Sequence, residues 1–327
     1  MKISFVGDIY LPDKYQIDFA IENVICNFEF PLSTKGEPAK NKVNLGVNIS
    51  FLLETFKNKP LAVNLANNHI MDYGEEGFLE TITYLEKENI KYFGAGNYAN
   101  NFNNPCNVEL GERKISIFGY SCQTTHPVFG NDQKNGSAKI DVDKIISDIK
   151  SQKTKTDLIV VQLHWGMEEI PFPTFDDKVI AHQLIDNGAD VIIGHHSHVI
   201  QSFEQYKGKY IYYGLGNFIF PSLDTPSYYD GEIFKRRYIK IQNKNNKKSL
   251  VVECNVETNM AIEYITEFDG AVVRKLTRNA VSNFIPKTQA EFLKRLKIYK
   301  KYMMIKRFLA NPKIPDISHL RRFFGFK

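Results

Sequence analysis

Four of the eight histidines form two groups, and each group follows an apolar run. These histidines are His164, His195, His196 and His198. The runs before them, Leu158–Leu163 and Val191–Ile193, consist of β-forming residues and predict buried strands that stop at polar side chains. In open α/β folds ligands bind beyond the carboxyl ends of strands. Imidazole binds Zn, Mn and Fe, and His-x-His aims two rings to one side of an extended chain, so the stretch predicts half of a metal site.

Further candidate ligands follow three other apolar runs nearer the N-terminus. They are Asp8, Glu29, and Asn68 next to His69. Hard and borderline divalent ions prefer such a mixture of carboxylate, amide oxygen and imidazole, whereas structural zinc prefers cysteine and histidine. The set therefore favours metal-assisted hydrolysis with one or two ions of Mn, Fe or Zn. An ordinary α/β protein with histidines in its core would need five coincidences at strand ends.

The order of the predicted elements indicates an α/β fold with two packed sheets and helices outside them. Strands and helices alternate in the first half, with helices at Asn48–Phe56 (capped by Asn48 or Ser50), Gly74–Glu88 and Asp176–Asn187, and the later half is rich in strands. Gln289–Leu309 is helical and basic. We therefore expect one domain over residues 1–280 and a basic helical extension over residues 281–327.

Composition limits the class of protein. The chain has 43% hydrophobic and 24% charged residues, and its net charge of +5 is too modest and too dispersed to indicate a nucleic-acid binder. No segment reaches the ~18 consecutive apolar residues of a membrane span, and the N-terminal apolar run is too short for a signal peptide. The four cysteines form no CxxC pair. These features predict a cytoplasmic protein, in free solution or peripheral at a membrane.

Several motifs, taken together and in order over about residues 3–220, resemble the CapA family, named for poly-γ-glutamate capsule synthesis. The motifs are GDI, ICNFEFPL, NLANNHIMDYGEEGFLETITYLEKENIKYFGAG, QLHWGMEE and ADVIIGHHSHVIQSFEQYKGKYIYYGLGNFIF. CapA-like domains are in turn similar to calcineurin-like metallophosphoesterases. That similarity implies a four-layer αββα sandwich with a two-metal site.

The resemblance also implies roles for individual residues. One metal would be held by Glu29, Asn68, His164 and His196. The other would be held by Asp8, Glu29 and His198. His69 would protonate the leaving group, and Asp72 would either fix the His69 ring or cap the next helix. The chain departs from the phosphoesterase pattern in two places: Tyr10 stands where a histidine ligand is usual, and the bridging carboxylate is Glu29 rather than an aspartate.

Three further residues are candidates for binding the substrate. His195 competes with His196 for one ligand position, and we assign the ligand role to His196 because only it completes a His-x-His pair. His195 is then expected in the pocket. Trp165 would stack on substrate or belong to the core, and Asn217 would donate a hydrogen bond to a bound anion.

These observations lead to two hypotheses about function. The first is a metal-dependent hydrolase of the CapA class, acting on a phosphoester, or less favourably on a γ-glutamyl amide or ester, in capsule or envelope biosynthesis. The second is a non-catalytic accessory subunit of a polymer synthase or exporter. The expected partners are an anionic polymer or phosphorylated substrate and capsule-synthesis proteins. The basic tail would pack on the core, or bind a membrane surface, a protein partner or an acidic polymer.

Overall fold

The computed structural model describes residues 1–47, 51–258, 260–276 and 281–310. The chain forms two compact units, Met1–Ile285 and Pro286–Lys327. The predicted helix caps at Asn48 and Ser50 lie outside the described residues. Among the residues that are described, no helix combines the length and the apolar character needed to cross a membrane.

Nineteen strands and five α-helices are present in these ranges. The strands are β1 Lys2–Ile9, β2 Gln16–Ile17, β3 Val24–Phe28, β4 Ala62–Asn64, β5 Lys91–Phe93, β6 Ala95–Gly96, β7 Cys106–Leu110, β8 Arg113–Ser121, β9 Gly136–Ser137, β10 Leu158–His164, β11 Val191–His195, β12 Phe203–Tyr206, β13 Lys209–Tyr212, β14 Asn217–Ile219, β15 Leu223–Tyr229, β16 Phe234–Lys240, β17 Lys248–Asn255, β18 Ala261–Phe268 and β19 Val272–Lys275. The helices are α1 Leu52–Thr55, α2 Gly74–Lys87, α3 Val142–Gln152, α4 Phe175–Asp186 and α5 Gln289–Ala310.

The strands form two large sheets and two short ribbons. The nine-stranded sheet has the order β2-β19-β18-β17-β1-β3-β4-β5, with β14 paired to β1. The six-stranded sheet has the order β12-β13-β11-β10-β8-β7. Strands β1, β3, β4 and β5 run parallel, as do β8, β10, β11 and β13, so each sheet presents a set of neighbouring carboxyl ends at one edge.

Three apolar clusters show how the sheets and helices are layered. The cluster between the sheets joins residues of both, such as Phe5 and Ile25 with Ile117 and Val160. A second cluster packs α1 and α2 on the outer face of the nine-stranded sheet, and a third packs α3 and α4 on the outer face of the six-stranded sheet. The structure therefore confirms the predicted αββα sandwich.

The period of two in the strands decides which side chains can reach the site. In β10, Leu158 and Val160 face the other sheet, while Ile159 and Val161 face the helices. His164 continues the first set, and Trp165 the second. A ligand histidine thus enters the space between the sheets, and its neighbour in the sequence is directed away from it.

Strands β15 and β16 form a hairpin in the strand-rich later half of the chain. Its strands pair antiparallel, with Leu223 opposite Lys240. Isolated bridges join Lys40 to Tyr229 and Val43 to Ser227, which ties the hairpin to the segment before α1. The hairpin and that segment form one wall of the pocket described below.

Candidate metal centre and its pocket

The strand ends of the two sheets bring several of the predicted site residues together. Glu29, His164 and His196 form one group, and Asp8, Glu29 and His198 form another. Within each group the possible ligand atoms lie within 4.8 Å of one another, and all of the residues are buried. Two adjacent groups that share Glu29 match the arrangement implied by the resemblance.

Glu29 follows β3 and is the residue shared by both groups. Its side chain is fully buried, and neither carboxylate oxygen accepts a hydrogen bond from the described residues. Its Oε1 lies 3.6 Å from His164 Nε2 and 3.8 Å from His198 Nε2. Burial, and then the charge of Asp8, raise the pKa of Glu29 well above its ordinary value. A buried carboxylate without partners is costly, so a cation at this position would stabilise it.

Asp8, near the end of β1, is equally buried but is surrounded by donors. Its Oδ1 accepts from Asn27 Nδ2 at 2.8 Å and lies 3.1 Å from His195 Nδ1. Its Oδ2 accepts from the His196 amide at 3.3 Å and lies 3.4 Å from His198 Nδ1. Burial alone would raise the pKa of Asp8, but these contacts, chiefly His195, hold it below its ordinary value. Asp8 is therefore ionised and fixed in place.

The imidazoles of the first group are neutral near pH 7, which is the form that binds a metal. Burial, together with the neighbouring imidazoles, lowers the pKa of His164 well below its ordinary value. Burial lowers the pKa of His196 to about 4. His196 Nδ1 has no hydrogen-bond partner among the described residues. Together with the bare oxygens of Glu29, this atom shows that the donor set fits a divalent ion.

The loop after β4 places Asn68 and His69 beside this group. The side-chain oxygen of Asn67 accepts from the backbone amides of His69 and Ile70, each at 3.0 Å, and this Asx turn fixes the loop. The side-chain oxygen of Asn68 then lies 2.9 Å from His164 Nε2. Asn68 is thus close to the first ligand group, as the resemblance implied.

His69 and Asp72 form a pair at the rim of the site. His69 Nδ1 lies 2.6 Å from Asp72 Oδ2, which also accepts from the Leu45 amide at 2.7 Å. Lys42 Nζ lies 2.5 Å from Asp72 Oδ1. The carboxylate fixes one nitrogen of the His69 ring, which leaves Nε2 for contact with a substrate. Of the two readings of Asp72, the geometry therefore favours the one in which it orients His69; the Asp72 side chain makes no cap bond to α2.

His196 and His198 both adopt left-handed backbone conformations, with φ of +81° and +54°. Such conformations are uncommon for residues other than glycine and cluster at functional sites. Immediately before them, a Cβ on Gly194 would lie 1.8 Å from the Tyr213 carbonyl oxygen. Only glycine permits this approach of β11 to the chain after β13, and the tight turn that follows directs both rings toward the carboxylates.

The three expected substrate-binding residues lie behind the site rather than in the pocket. Trp165 is 1% exposed in the outer apolar cluster, and its indole donates to the Tyr213 carbonyl at 2.9 Å. The core alternative is therefore the correct one for Trp165. His195 is also buried, with its ring between Asp8 and Gln162, whose Oε1 lies 3.2 Å from Nε2. The expected pocket position is wrong for His195, because both ring nitrogens face buried partners.

Asn217 supports His198 from a buried position. Its Oδ1 lies 2.8 Å from His198 Nδ1, and its Nδ2 donates to the Asn246 carbonyl at 2.9 Å. The expectation that Asn217 contacts substrate is therefore not met, since the side chain is buried and both ends are used. Its contact instead leaves Nε2 of His198 directed toward Glu29.

A pocket of about 400 Å³ opens above the ligand groups. Its floor is formed by Asn68, His69, His196 and His198. Its walls come from the segment before α1, the loops after β8 and β10, and the hairpin: Asn41, Lys42, Val43, Leu45, Thr124, Thr125, His126, Glu168, Phe220, Leu223, Tyr228, Tyr238 and Lys240. The lining combines two lysines with aromatic rings, which suits an anionic substrate with some apolar surface.

Sequence reasoning missed several residues of this site. Asn27, fully buried on β3, donates to Asp8 and accepts from Asn67 Nδ2 at 3.3 Å. Glu168 lines the pocket with Lys240 Nζ at 3.4 Å, and His198 and Lys240 lower the pKa of Glu168 to about 2. The odd–even alternation of β3 could have placed Asn27 on the inner face. No comparable pattern marks Lys42 or Lys240.

Comparison with known proteins identifies the family. The model of the bacterial capsule synthesis protein PGA_cap matches residues 17–222. The chain belongs to this family. The capsule biosynthesis protein CapA of Bacillus anthracis is 32% identical over 245 residues, which cover 67% of this chain and 60% of that protein. The PGA biosynthesis protein CapA of Bacillus subtilis is 31% identical over 212 residues, or 62% of this chain and 54% of its own.

The match to these two CapA relatives spans less than two thirds of the length of either. Among solved structures, the 5′-nucleotidase precursor from Thermus thermophilus is 14% identical, with a TM-score of 0.43, over 93% of this chain and 59% of its own. The PGA_cap match includes Glu29, Asn68, His69, His164 and His198, whereas Asp8 lies before it.

Proposed function

We propose that this PGA_cap protein is a metal-dependent hydrolase acting on a phosphoester, or less favourably on a γ-glutamyl amide or ester, in the biosynthesis of a capsule or envelope polymer. The observation that carries the proposal is Glu29, a buried carboxylate with no hydrogen-bond donor among the described residues, which stands between two groups of ligand atoms. Buried imidazoles on both sides of this carboxylate, below an open cleft, are the surroundings that a bound cation requires.

The residues that would hold the metal are those of the two groups, with Asn68 added to the first. Glu29, Asn68, His164 and His196 would form one position, and Asp8, Glu29 and His198 the other. A divalent ion held there supplies Lewis acidity and an activated water at neutral pH. Carboxylate, amide and imidazole donors are compatible with Mn, Fe or Zn, so the donor set does not by itself choose among them.

His69 is placed to protonate the leaving group from Nε2. Asp72 accepts at Nδ1 and so fixes the tautomer that carries a proton on Nδ1, unless the ring is fully protonated. Burial, and to a smaller degree Lys42, lower the pKa of His69, while Asp72 opposes them. Donation from Nε2 requires a ring protonated on both nitrogens, and the Asp72 carboxylate favours that form.

The test compares two variants of the metal-loaded protein. His69→Ala should retain metal but lose about 100-fold to 10,000-fold of turnover, the usual share of a general acid. His164→Ala should lose metal as measured by elemental analysis. Suitable probes are p-nitrophenyl phosphate, bis-p-nitrophenyl phosphate and γ-glutamyl-p-nitroanilide. Turnover that survives in His69→Ala would remove this residue from the mechanism, and a protein that takes up no metal would refute the proposal.

The second candidate is a non-catalytic accessory subunit, and one observation favours it. Tyr10 stands at the position where a histidine ligand is usual, and its ring packs edge-on against Phe30 at 5.3 Å and tilted against Phe220 at 5.6 Å. The second metal position therefore lacks one ligand of the phosphoesterase pattern. This candidate predicts affinity for an acidic polymer such as poly-γ-glutamate, lost at high salt, without product from any probe.

A further inference from the structure

Helix α5 carries two separate apolar stripes. Residues at the spacing i, i+4, i+7 and i+11 share one face of a helix. One stripe consists of Phe292, Leu296, Tyr299 and Met303, which are buried or half-buried. The other consists of Ile298, Tyr302, Ile305 and Leu309, which are 51%, 56%, 52% and 72% exposed. The helix is about 33 Å long, so the exposed stripe covers roughly its second half.

Basic residues border the exposed stripe on both sides. At about 100° per residue, Lys294 and Lys301 flank it on one side, and Arg295 and Lys306 on the other. Residues 289–310 contain seven Lys and Arg and one Glu, a net charge of +6. Long basic side chains can lie along apolar surface while their charged ends stay in water. The face is thus apolar along its centre and cationic at both margins.

The charge limits what can cover this face. A second copy would bring a further +6 against it, and residues 311–327 add four Lys and Arg against one Asp, so neither is complementary. A soluble acidic polymer would neutralise the lysines but leave the apolar stripe in water. An anionic lipid surface satisfies both, because its headgroups pair with the lysines and its acyl boundary accepts the stripe.

We propose that α5 lies flat on an anionic lipid surface, with Ile298, Tyr302, Ile305 and Leu309 inserted at the acyl boundary and the flanking lysines among the headgroups. The contact is peripheral rather than spanning. It is independent of any metal chemistry in the Met1–Ile285 unit.

Co-sedimentation of the full chain with vesicles tests this proposal. Vesicles of phosphatidylcholine with and without phosphatidylglycerol separate the contribution of charge from that of the apolar stripe. The protein should bind the vesicles that contain phosphatidylglycerol, and this binding should weaken at high salt. Ile305→Glu should lower the partition coefficient at least about tenfold, since one buried aliphatic side chain is worth that much or more. Leu293→Glu is the matched control, because Leu293 is 53% exposed on the same helix but outside the stripe. It makes the same charge change and should bind markedly better than Ile305→Glu.

Three outcomes would overturn the proposal. Equal losses of vesicle binding in Ile305→Glu and Leu293→Glu would show that binding depends on net charge and not on the exposed stripe. Absence of vesicle binding, with concentration-dependent self-association that Ile305→Glu abolishes, would assign the stripe to a second copy. Absence of vesicle binding, with retention on immobilised poly-γ-glutamate that Ile305→Glu leaves unchanged, would assign the lysines to a soluble polyanion.

Discussion

Asp8 and Glu29 are two fully buried carboxylates at the ends of neighbouring parallel strands, and their surroundings are opposite. Asp8 receives hydrogen bonds from Asn27 and from the His196 amide and contacts two imidazoles. Glu29 receives none from the described residues. The pKa of Asp8 is lowered by its partners, whereas burial raises the pKa of Glu29. One carboxylate is therefore stabilised by the protein, and the other depends on something the protein does not supply.

This difference assigns the two carboxylates different roles: Asp8 contributes to the stability of the fold, and Glu29 contributes to binding a cation. A carboxylate with a full set of partners stabilises the fold whether or not a ligand is bound. A bare buried carboxylate costs stability, and such groups persist where binding a cation recovers that cost. Asp8 is then a ligand that the fold already fixes in place. Glu29 lowers the stability of the metal-free fold but would strengthen metal binding.

The strongest test of this contrast is Glu29→Gln. The substitution keeps the shape of the side chain but removes the charge that would bind metal. We expect metal affinity to fall by more than about 100-fold, since even residues that only support ligands cost 10-fold to 100-fold. In the presence of chelator at neutral pH, the same variant should be more stable than the parent by about 1 to 3 kcal/mol, because the cost of burying a carboxyl group with a raised pKa has been removed. Metal titration and urea unfolding with excess chelator measure the two effects.

Asp8→Asn is the matched variant, because it makes the same change in the carboxylate that has partners. An Asn amide group would meet the His196 amide, and a charged acceptor would be lost, so the chelated protein should lose about 2 to 4 kcal/mol. A gain in unfolding free energy for Glu29→Gln and a loss for Asp8→Asn would establish that the two carboxylates have opposite surroundings. Destabilisation of the chelated protein by Glu29→Gln as well would show that Glu29 has partners in solution, and the argument for a cation there would fail.

How far the sequence predicts this site depends on the kind of residue. Ligands at the ends of apolar strands could be found, because strand periodicity and the polar residue that stops it are both visible in the chain. Trp165 shows the limit of that reasoning, since only the register of β10 decides that His164 faces inward and Trp165 outward. Lys42 comes from a loop and Lys240 from a hairpin, and their position beside the site depends on long-range pairing that leaves no local pattern.

The second prediction concerns Asn27, the donor to Asp8 that sequence reasoning missed. Asn27→Leu removes that donor and leaves Asn67 without one acceptor, so Asp8 should be less well fixed. Metal affinity should fall about 10-fold to 100-fold, as for other residues that orient ligands. Isothermal titration with Mn or Zn measures the change.

Asn64→Leu provides the control for this variant. Asn64 is opposite Asn27 in the β3–β4 pairing and is equally buried, but its side-chain oxygen accepts from the Ala66 amide rather than supporting Asp8. It should lose folding stability to a similar extent while keeping metal affinity within about threefold. Equal losses of affinity in the two variants would mean that Asn27 acts through general destabilisation and not through Asp8.

The smallest expected effect comes from a third buried carboxylate, which lies outside the site. Asp177 is 6% exposed in the first turn of α4 and accepts from the Thr174 amide at 3.0 Å. Although hydrogen bonds from Thr174 oppose it, burial raises the pKa of Asp177 from 3.8 to about 6. Because the folded state holds this proton more tightly, stability from Asp177 is complete below pH 3.8 and is lost as the pH rises through about 6. Between pH 4.5 and 7.5 the parent should therefore lose about 2 kcal/mol of unfolding free energy relative to Asp177→Asn, which keeps an oxygen for Thr174.

Urea unfolding of both proteins at several pH values measures this difference directly, since every other titrating group cancels in the comparison. The result bears on Glu29, because Asp177 is raised by burial despite its hydrogen bonds, while Glu29 is buried without any from the described residues. A difference that is constant with pH would mean that this scaffold buries a carboxylate at little cost. The bare carboxylate of Glu29 would then require no cation to explain it, and the inference of a metal would rest on the histidines alone.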